Sequence, residues 1–259
     1  LELSDGLNEN MIVATIQARM NSKRLPGKVL LKIGELMVIE HILHRLNKVK
    51  SIDLVQVVTT ENDCDDQLCK VVSRLPGVKV FRGDEKDVLK RIHDSVKHLS
   101  PELIVHAFGD NIFIDPDTIE DSVKQFLTGG YEFGFYSNCP TGFGVDLYSM
   151  EALRESHRKA CASKDREHAN SYILNKYEHF KMLKYIPERK KYRKTNIRLT
   201  LDTESDLDEI MRLNEIFDQR LHETPTYQIM DEINELKNNI DYNQKYTSEL
   251  VFKLKNNLT

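Results

Sequence analysis

Residues Ile12–Leu30 read IVATIQARMNSKRLPGKVL: an apolar, β-branched run that gives way at once to a loop carrying two arginines, two lysines and a Pro-Gly turn. The run Ile12–Ile16 has the length and branching of a strand buried on both faces of a parallel sheet. Ligands of open α/β sheets bind just beyond the carboxyl ends of such strands, which is where the charged loop begins. Arg19 and Arg24 offer planar donor forks matched to phosphate oxygens, Lys23 and Lys28 add mobile point charges, and Gly27 lets the backbone approach an anion. The pattern suits a polyphosphate grip, although a solvated basic loop after a first strand would show the same spacing. It is not a Walker loop and contains no G-x-G-x-x-G, so neither an ATPase nor a dinucleotide site has local support.

Beyond the loop, strand and helix signals alternate. Leu36–Val49 carries Ile39, Ile42, Leu43 and Leu46 on one helical face. Leu54–Thr59 reads as a second strand, Asp65–Arg74 as a helix, Val78–Phe81 as a third strand, Asp87–His98 as a helix and Leu103–Ala107 as a fourth strand. This rhythm predicts an α/β fold of three layers, a mostly parallel twisted sheet with helices on both faces.

The chain has 259 residues, 40% hydrophobic and 30% charged, enough for one large α/β domain with a small appendage. Expected boundaries are a linker or expression remnant at 1–10, a main domain at 11–220 and a helical appendage at 221–259, where Tyr227–Leu236 is helix-like and an Asn-rich tail follows. A net charge of −4 argues against general nucleic-acid binding. The four cysteines, Cys64, Cys69, Cys139 and Cys161, make no C-x-x-C pair or zinc spacing, which predicts reduced thiols. With no membrane-length apolar stretch and no signal peptide visible, a cytoplasmic protein with no membrane partner is expected.

Two acidic motifs complete the pattern. Phe108-Gly109-Asp110-Asn111-Ile112-Phe113-Ile114-Asp115-Pro116 follows the fourth strand, so Asp110 points into the same crevice as the basic loop and is a candidate for Mg²⁺, which prefers oxygen ligands. A plain turn residue is the alternative for Asp110, and Asp115 reads as a helix cap. Asn196–Leu207 reads as a strand ending at Asp202 and then a helix capped by Thr203 and Asp206; capping explains those two but not Asp202.

The run Gln17-Ala18-Arg19-Met20-Asn21-Ser22-Lys23-Arg24-Leu25-Pro26-Gly27-Lys28 resembles the signature loop of the sugar cytidylyltransferases, which make CMP-activated acidic sugars such as CMP-Kdo and CMP-neuraminate. It is most similar to the branch named after spore coat polysaccharide biosynthesis protein F, with I-Q-A-R-M-G-S-T-R-L-P-G-K; Asn21 and Lys23 depart from that pattern. The Gly109-Asp110 and Asp115-Pro116 pairs resemble the family's, with Ile112 in place of a proline, and Leu199–Leu207 resembles L-T-V-D-T-P-E-D-L. Gly142–Ser149 resembles G-L-D-V-E-V-F-S, with Leu147 and Tyr148 in place of commoner residues, and Arg166-Glu167-His168 matches R-E-H. Phe81–Leu89 resembles F-R-G-S-E-E-D-V-L, and Thr59–Asn62 resembles a T-T-D-N-like turn.

The resemblance implies a Rossmann-like, GT-A-like sheet and transfer of CMP from CTP to an acidic sugar with loss of pyrophosphate. Arg19, Arg24, Lys28 and Asp110 would be catalytic, and Gln17, Ala18, Arg19, Ser22, Lys28, Thr60, Arg82, Gly83 and Gly109 would bind nucleotide. Asp146, Arg166, Glu167 and His168 would line the acceptor-sugar pocket, and Asp110 with Asp202 would hold Mg²⁺. The residues do not set an oligomeric state; the resemblance allows a homodimer, since relatives are often dimers. The other readings are a GT-A glycosyltransferase, which the absence of Asp-x-Asp at Asp110-Asn111-Ile112 disfavours, and a silent scaffold. His41, His44, His93 and His98 lie on helical stretches without evident ligand spacing. The basic run Arg189–Lys194 reads as a solvated loop.

Overall fold

The computed structural model describes residues 10–193 and 197–238. The segment 1–9 read as a linker, the ends of the basic run and of the last motif at 194–196, and the tail from 239 lie outside these residues.

In chain order the elements are β1 (Ile12–Gln17), β2 (Lys32–Ile33), β3 (Leu36–Met37), α1 (Val38–Leu46), β4 (Leu54–Thr60), α2 (Asp66–Val72), β5 (Val78–Gly83), α3 (Val88–Val96) and β6 (Leu103–Phe108). They continue with α4 (Pro116–Gly129), β7 (Phe133–Tyr136), β8 (Asp146–Ser149), α5 (Met150–Lys159), α6 (Ser163–Glu167), α7 (Ser171–Asn175), β9 (Met182–Tyr185), α8 (Glu204–Ile216) and α9 (Thr226–Asn238). Seven strands form one sheet in the order β5-β4-β1-β6-β8-β7-β9, and β2 and β3 form a separate small hairpin. All neighbours in the main sheet pair parallel except β8, which runs antiparallel to both β6 and β7. The mostly parallel α/β sheet expected from the sequence is therefore the observed one.

The β-branched run places β1 at the centre with alternating residues on opposite faces. Ile12, Ala14 and Ile16 join Leu103, Val105 and Ala107 of β6 under α1, α4, α8 and α9, whereas Val13 and Ile104 pack with α3 and α5 on the other face. Thr15 and His106 also occupy that second face, where a 2.9 Å hydrogen bond between Thr15 Oγ1 and His106 Nδ1 satisfies both buried groups.

From β1 the chain winds outward through β4 to β5, then returns to β6 on the opposite side of β1. The crevice between β1 and β6 is thus the topological switch point, and both motif loops leave from its rim. Gly109 is required there: its N–H bonds the Gln17 carbonyl at 2.9 Å, and a Cβ would stand 2.8 Å from that oxygen.

Helix starts follow their caps. Asp115 accepts from Thr118 N ahead of Pro116, and Thr203 and Asp206 form a reciprocal capping box. One expected strand is absent, because Ile197–Leu201 makes only an isolated bridge, Thr141 with Arg198. Its apolar alternation is real, with Ile197, Leu199 and Leu201 buried. The segment, however, crosses the carboxyl rim of the sheet, bonding Thr141 O through Leu199 N and Asp110 O through Leu201 N at 2.8 and 2.9 Å. No helix among the described residues is long and apolar enough to cross a membrane.

Candidate active site

That crossing carries Asp202 to the end of β6, opposite the loop after β1. Lys28 follows Gly27, whose φ of 70° turns the chain into a short 3₁₀ turn and aims the lysine inward. Its ammonium donates to Asp110 Oδ2 at 2.9 Å, Asp202 Oδ1 at 3.1 Å and the Leu201 carbonyl at 2.8 Å. The Arg24 guanidinium lies 2.7 Å from Asp202 Oδ1, and Arg198 contacts the other oxygen of the same carboxylate. Two acids some ninety residues apart in sequence therefore share one ammonium. Burial alone would push the Asp202 carboxyl up, but Lys28 and Arg24 outweigh it and hold the group below the usual carboxylate range. Its backbone is fixed as well, since Asp206 Oδ2 accepts from the N–H of both Asp202 and Thr203 at 2.8 Å.

Around this cluster opens a polar cleft of about 340 Å³ lined by Gln17, Ala18, Arg19, Ser22, Lys23, Arg24, Lys28, Val29, Phe108, Gly109, Asp110, Glu167 and Asp202. The Arg19 guanidinium lines this cleft and carries no ion pair among the described residues, so its donor fork is free to take an anion. Asp110 and Asp202 present hard oxygen donors to one point, which fits a magnesium ion that takes one or two carboxylates and completes its shell with phosphate oxygens and water.

A second cavity, about 540 Å³, begins at the neighbouring residue Asn111 and includes Tyr136, Asn138, Gly142, Asp146 and Asn170. Asp146 sits on its inner wall, accepting from Asn170 Nδ2 at 3.0 Å and Tyr148 Oη at 3.4 Å. Burial pushes its carboxyl up to about 7 despite those bonds. The folded state therefore binds this proton more tightly than the unfolded chain does, so stability falls as pH rises from about 4 to about 7 and levels off above that. Asp146→Asn is expected to remove that slope, gaining on the order of a few kcal/mol relative to the parent at pH 8 compared with pH 4. Urea midpoints of the two proteins that run parallel over this range would contradict the assignment.

The other expected site residues divide. Gln17, Ala18, Ser22, Gly109 and Glu167 reach the first cleft, but Thr60, Arg82 and Gly83 do not line it. Thr60 gives both its N–H and its hydroxyl to Asp65. Arg82 donates to Thr60 O at 3.0 Å and Asn62 O at 2.9 Å and pairs with Asp66 at 2.6 Å, clamping the turn after β4. Gly83 accepts Glu61 N through its carbonyl at 3.0 Å, and a Cβ there would meet the Arg91 side chain at 3.0 Å. Arg166 is committed to Asp87, at 2.8 and 2.5 Å, and to the His157 carbonyl at 2.7 Å. His168 is exposed and lines neither cavity.

Two residues that sequence reasoning passed over support the cleft. Asp65, fully buried, accepts Met20 N at 2.6 Å as well as the Thr60 groups, tying the loop after β1 to the end of β4. Its only signal in the sequence was an acid at a helix start. Arg91 is buried and donates to the carbonyls of Asp84 and Glu85, while its Nε and Nη2 have no partner among the described residues. Burial lowers its pKa, and the charge of Arg19 adds to that effect.

Comparison with known proteins places this geometry among relatives. A family model described as cytidylyltransferase matches residues 13–247. An uncharacterized protein of Methanocaldococcus jannaschii is 35% identical over 207 residues, covering 80% of this chain and 84% of that protein. Spore coat polysaccharide biosynthesis protein SpsF of Bacillus subtilis is 30% identical over 209 residues, covering 79% and 86%. Among solved structures, a cytidylyltransferase from Leptospira borgpetersenii superposes with a TM-score of 0.81 at 28% identity, covering 89% of this chain and 96% of that one.

Proposed function

Because this chain belongs to the cytidylyltransferase family, we propose that it transfers CMP from CTP to an acidic sugar, a keto-deoxy or nonulosonic acid, for cell-surface polysaccharide synthesis in the cytoplasm, acting as a homodimer. The observation that carries this reading is the Lys28 ammonium shared by Asp110 and Asp202 at the switch point of the sheet, inside a cleft lined by Arg19 and Arg24.

Arg19, Arg24 and Lys28 bind the triphosphate, and Ser22 and the backbone at Ala18 and Gly109 shape its seat. Asp110 and Asp202 would hold Mg²⁺, which when bound would neutralise phosphate charge and polarise the α-phosphoryl oxygen. An acceptor hydroxyl oxygen forms the new bond to the α-phosphorus as the bond to the bridging oxygen of pyrophosphate breaks. The hydroxyl proton passes to solvent. The protein's work is therefore positioning and charge compensation. As phosphate oxygens arrive, Lys28 exchanges a carboxylate partner for a phosphate one, so the cluster holds the lysine in place beforehand. The cavity of Asn111, Asp146 and Asn170 receives the sugar, and Glu167 lines the nucleotide cleft.

Incubating the protein with each of four nucleoside triphosphates, several keto-sugar acids and Mg²⁺ is expected to release pyrophosphate with CTP and one acid class only. Hydrolysis or transfer from a sugar nucleotide without pyrophosphate release would instead favour a glycosyltransferase.

A further inference from the structure

Away from both cavities, α1 passes beneath the loop that joins α8 to α9, and a second cluster of potential ligands forms where they meet. His44 projects from α1, and His222 and Glu223 project from the loop. One ligand atom of each, a ring nitrogen from each histidine and a carboxylate oxygen, lie within 4.8 Å of one another. The two rings meet edge to face, 4.8 Å between centroids at 83°, and Glu223 Oε1 is 3.9 Å from His222 Nε2. His44 Nε2 is buried with no hydrogen-bond partner among the described residues, whereas buried ring nitrogens are ordinarily satisfied. A metal bond would satisfy it.

The loop is held in register independently of these three side chains. Arg45, the residue after His44, donates to the carbonyls of Leu221 at 2.9 Å and Thr224 at 3.0 Å, the positions flanking His222 and Glu223. Glu223 N bonds Arg220 O at 2.9 Å, and Leu221 N bonds Asn214 Oδ1 at 3.4 Å. His41 lines the remaining side, its Nε2 spent on the Ile33 carbonyl at 3.1 Å and its ring 5.8 Å from that of His222. Arg45 and Lys48 also face the cluster, and their charge disfavours weakly held hard ions. Two nitrogens and one carboxylate are the ligand set of a borderline divalent ion, which bonds imidazole strongly enough to overcome that repulsion.

We propose that His44, His222 and Glu223 bind one Zn²⁺ with solvent in the fourth position, a staple that joins α1 to the α8–α9 unit. The site shares no residue with the nucleotide cleft, so it stands or falls separately from the proposed reaction.

The test is calorimetric titration of the full chain with Zn²⁺, and with Mg²⁺ as control, followed by Co²⁺ absorption spectroscopy. Expected are one equivalent of Zn²⁺, no comparable Mg²⁺ binding, and a melting temperature that rises with Zn²⁺ concentration. The Co²⁺ spectrum should show tetrahedral bands without the thiolate charge-transfer band that Cys64 or Cys161 would contribute. His222→Ala should weaken Zn²⁺ binding by at least about a hundredfold and Glu223→Gln by about tenfold, since both remove direct ligands. Both substitutions lie in a surface loop, and circular dichroism establishes that the variants fold. No stoichiometric Zn²⁺ binding, or binding that both variants retain, overturns the site.

Discussion

Asp202→Asn is expected to reduce pyrophosphate release from CTP at least about a hundredfold, the scale of losing one preorganised electrostatic group at a reacting phosphate. This carboxylate is the meeting point of Lys28, Arg24 and Arg198, and it stands beside Asp110 at the carboxyl end of β6. Asparagine keeps the shape but removes the charge that positions the three cations and that would hold the metal. The fold should survive, because Asp206 rather than the Asp202 side chain fixes the local backbone. Asp110→Asn should behave alike, and the double variant should lose little more than either single one, as residues acting as a unit do. A rate within about tenfold of the parent, with unchanged circular dichroism, would remove Asp202 from the chemistry.

Arg45→Met is expected to destabilise the protein by about 3–5 kcal/mol, because it removes a buried guanidinium and leaves the carbonyl and hydroxyl acceptors it serves without a donor. The guanidinium is fully buried, where it donates to Ile114 O at 3.4 Å, Thr226 Oγ1 at 3.0 Å, Leu221 O at 2.9 Å and Thr224 O at 3.0 Å. Burial pulls its pKa down to about 10, with Asp115 and Tyr192 opposing, so it stays charged at neutral pH. Methionine fills similar volume but leaves those acceptors dry, each at a cost of about 1–3 kcal/mol unless water enters. The melting temperature should fall by roughly 10 °C for a domain of this size. Arg45→Lys should recover only part of the loss, since a point charge cannot span the fork. A melting temperature within about 2 °C of the parent would show that the network is not what secures the C-terminal helices.

How much of this was readable in advance differs by residue type. The parallel strands announced themselves because a strand covered on both faces must be a continuous apolar run, as in Ile12–Ile16 and Leu103–Ala107. Asp115 and Thr203 were legible as caps because capping is a contact between residues three apart. The grouping of Arg19, Arg24 and Lys28 with Asp110 followed from placing two loops at one rim. Ile197–Leu201 misled because burying alternate residues and pairing as a strand are separate events; here the buried side chains face the core while the backbone bonds loops. Thr60 and Arg82 stand in a family-like motif, yet Asp65 and Asp66 occupy them, and partners five and sixteen residues away leave no periodic mark.

The sequence by itself determined the layers, the central strand, the switch-point loops and the residue types able to bind phosphate, because those depend on local periodicity, caps and charge. The family resemblance already paired Asp110 with Asp202, but only the tertiary structure decided that Lys28 bridges them, that β8 runs backwards, that Arg45 is buried under the C-terminal helices and that His44 faces His222 and Glu223. Each is a contact between segments far apart in the chain, set by how packed elements cross, and nothing in either segment encodes the position of the other.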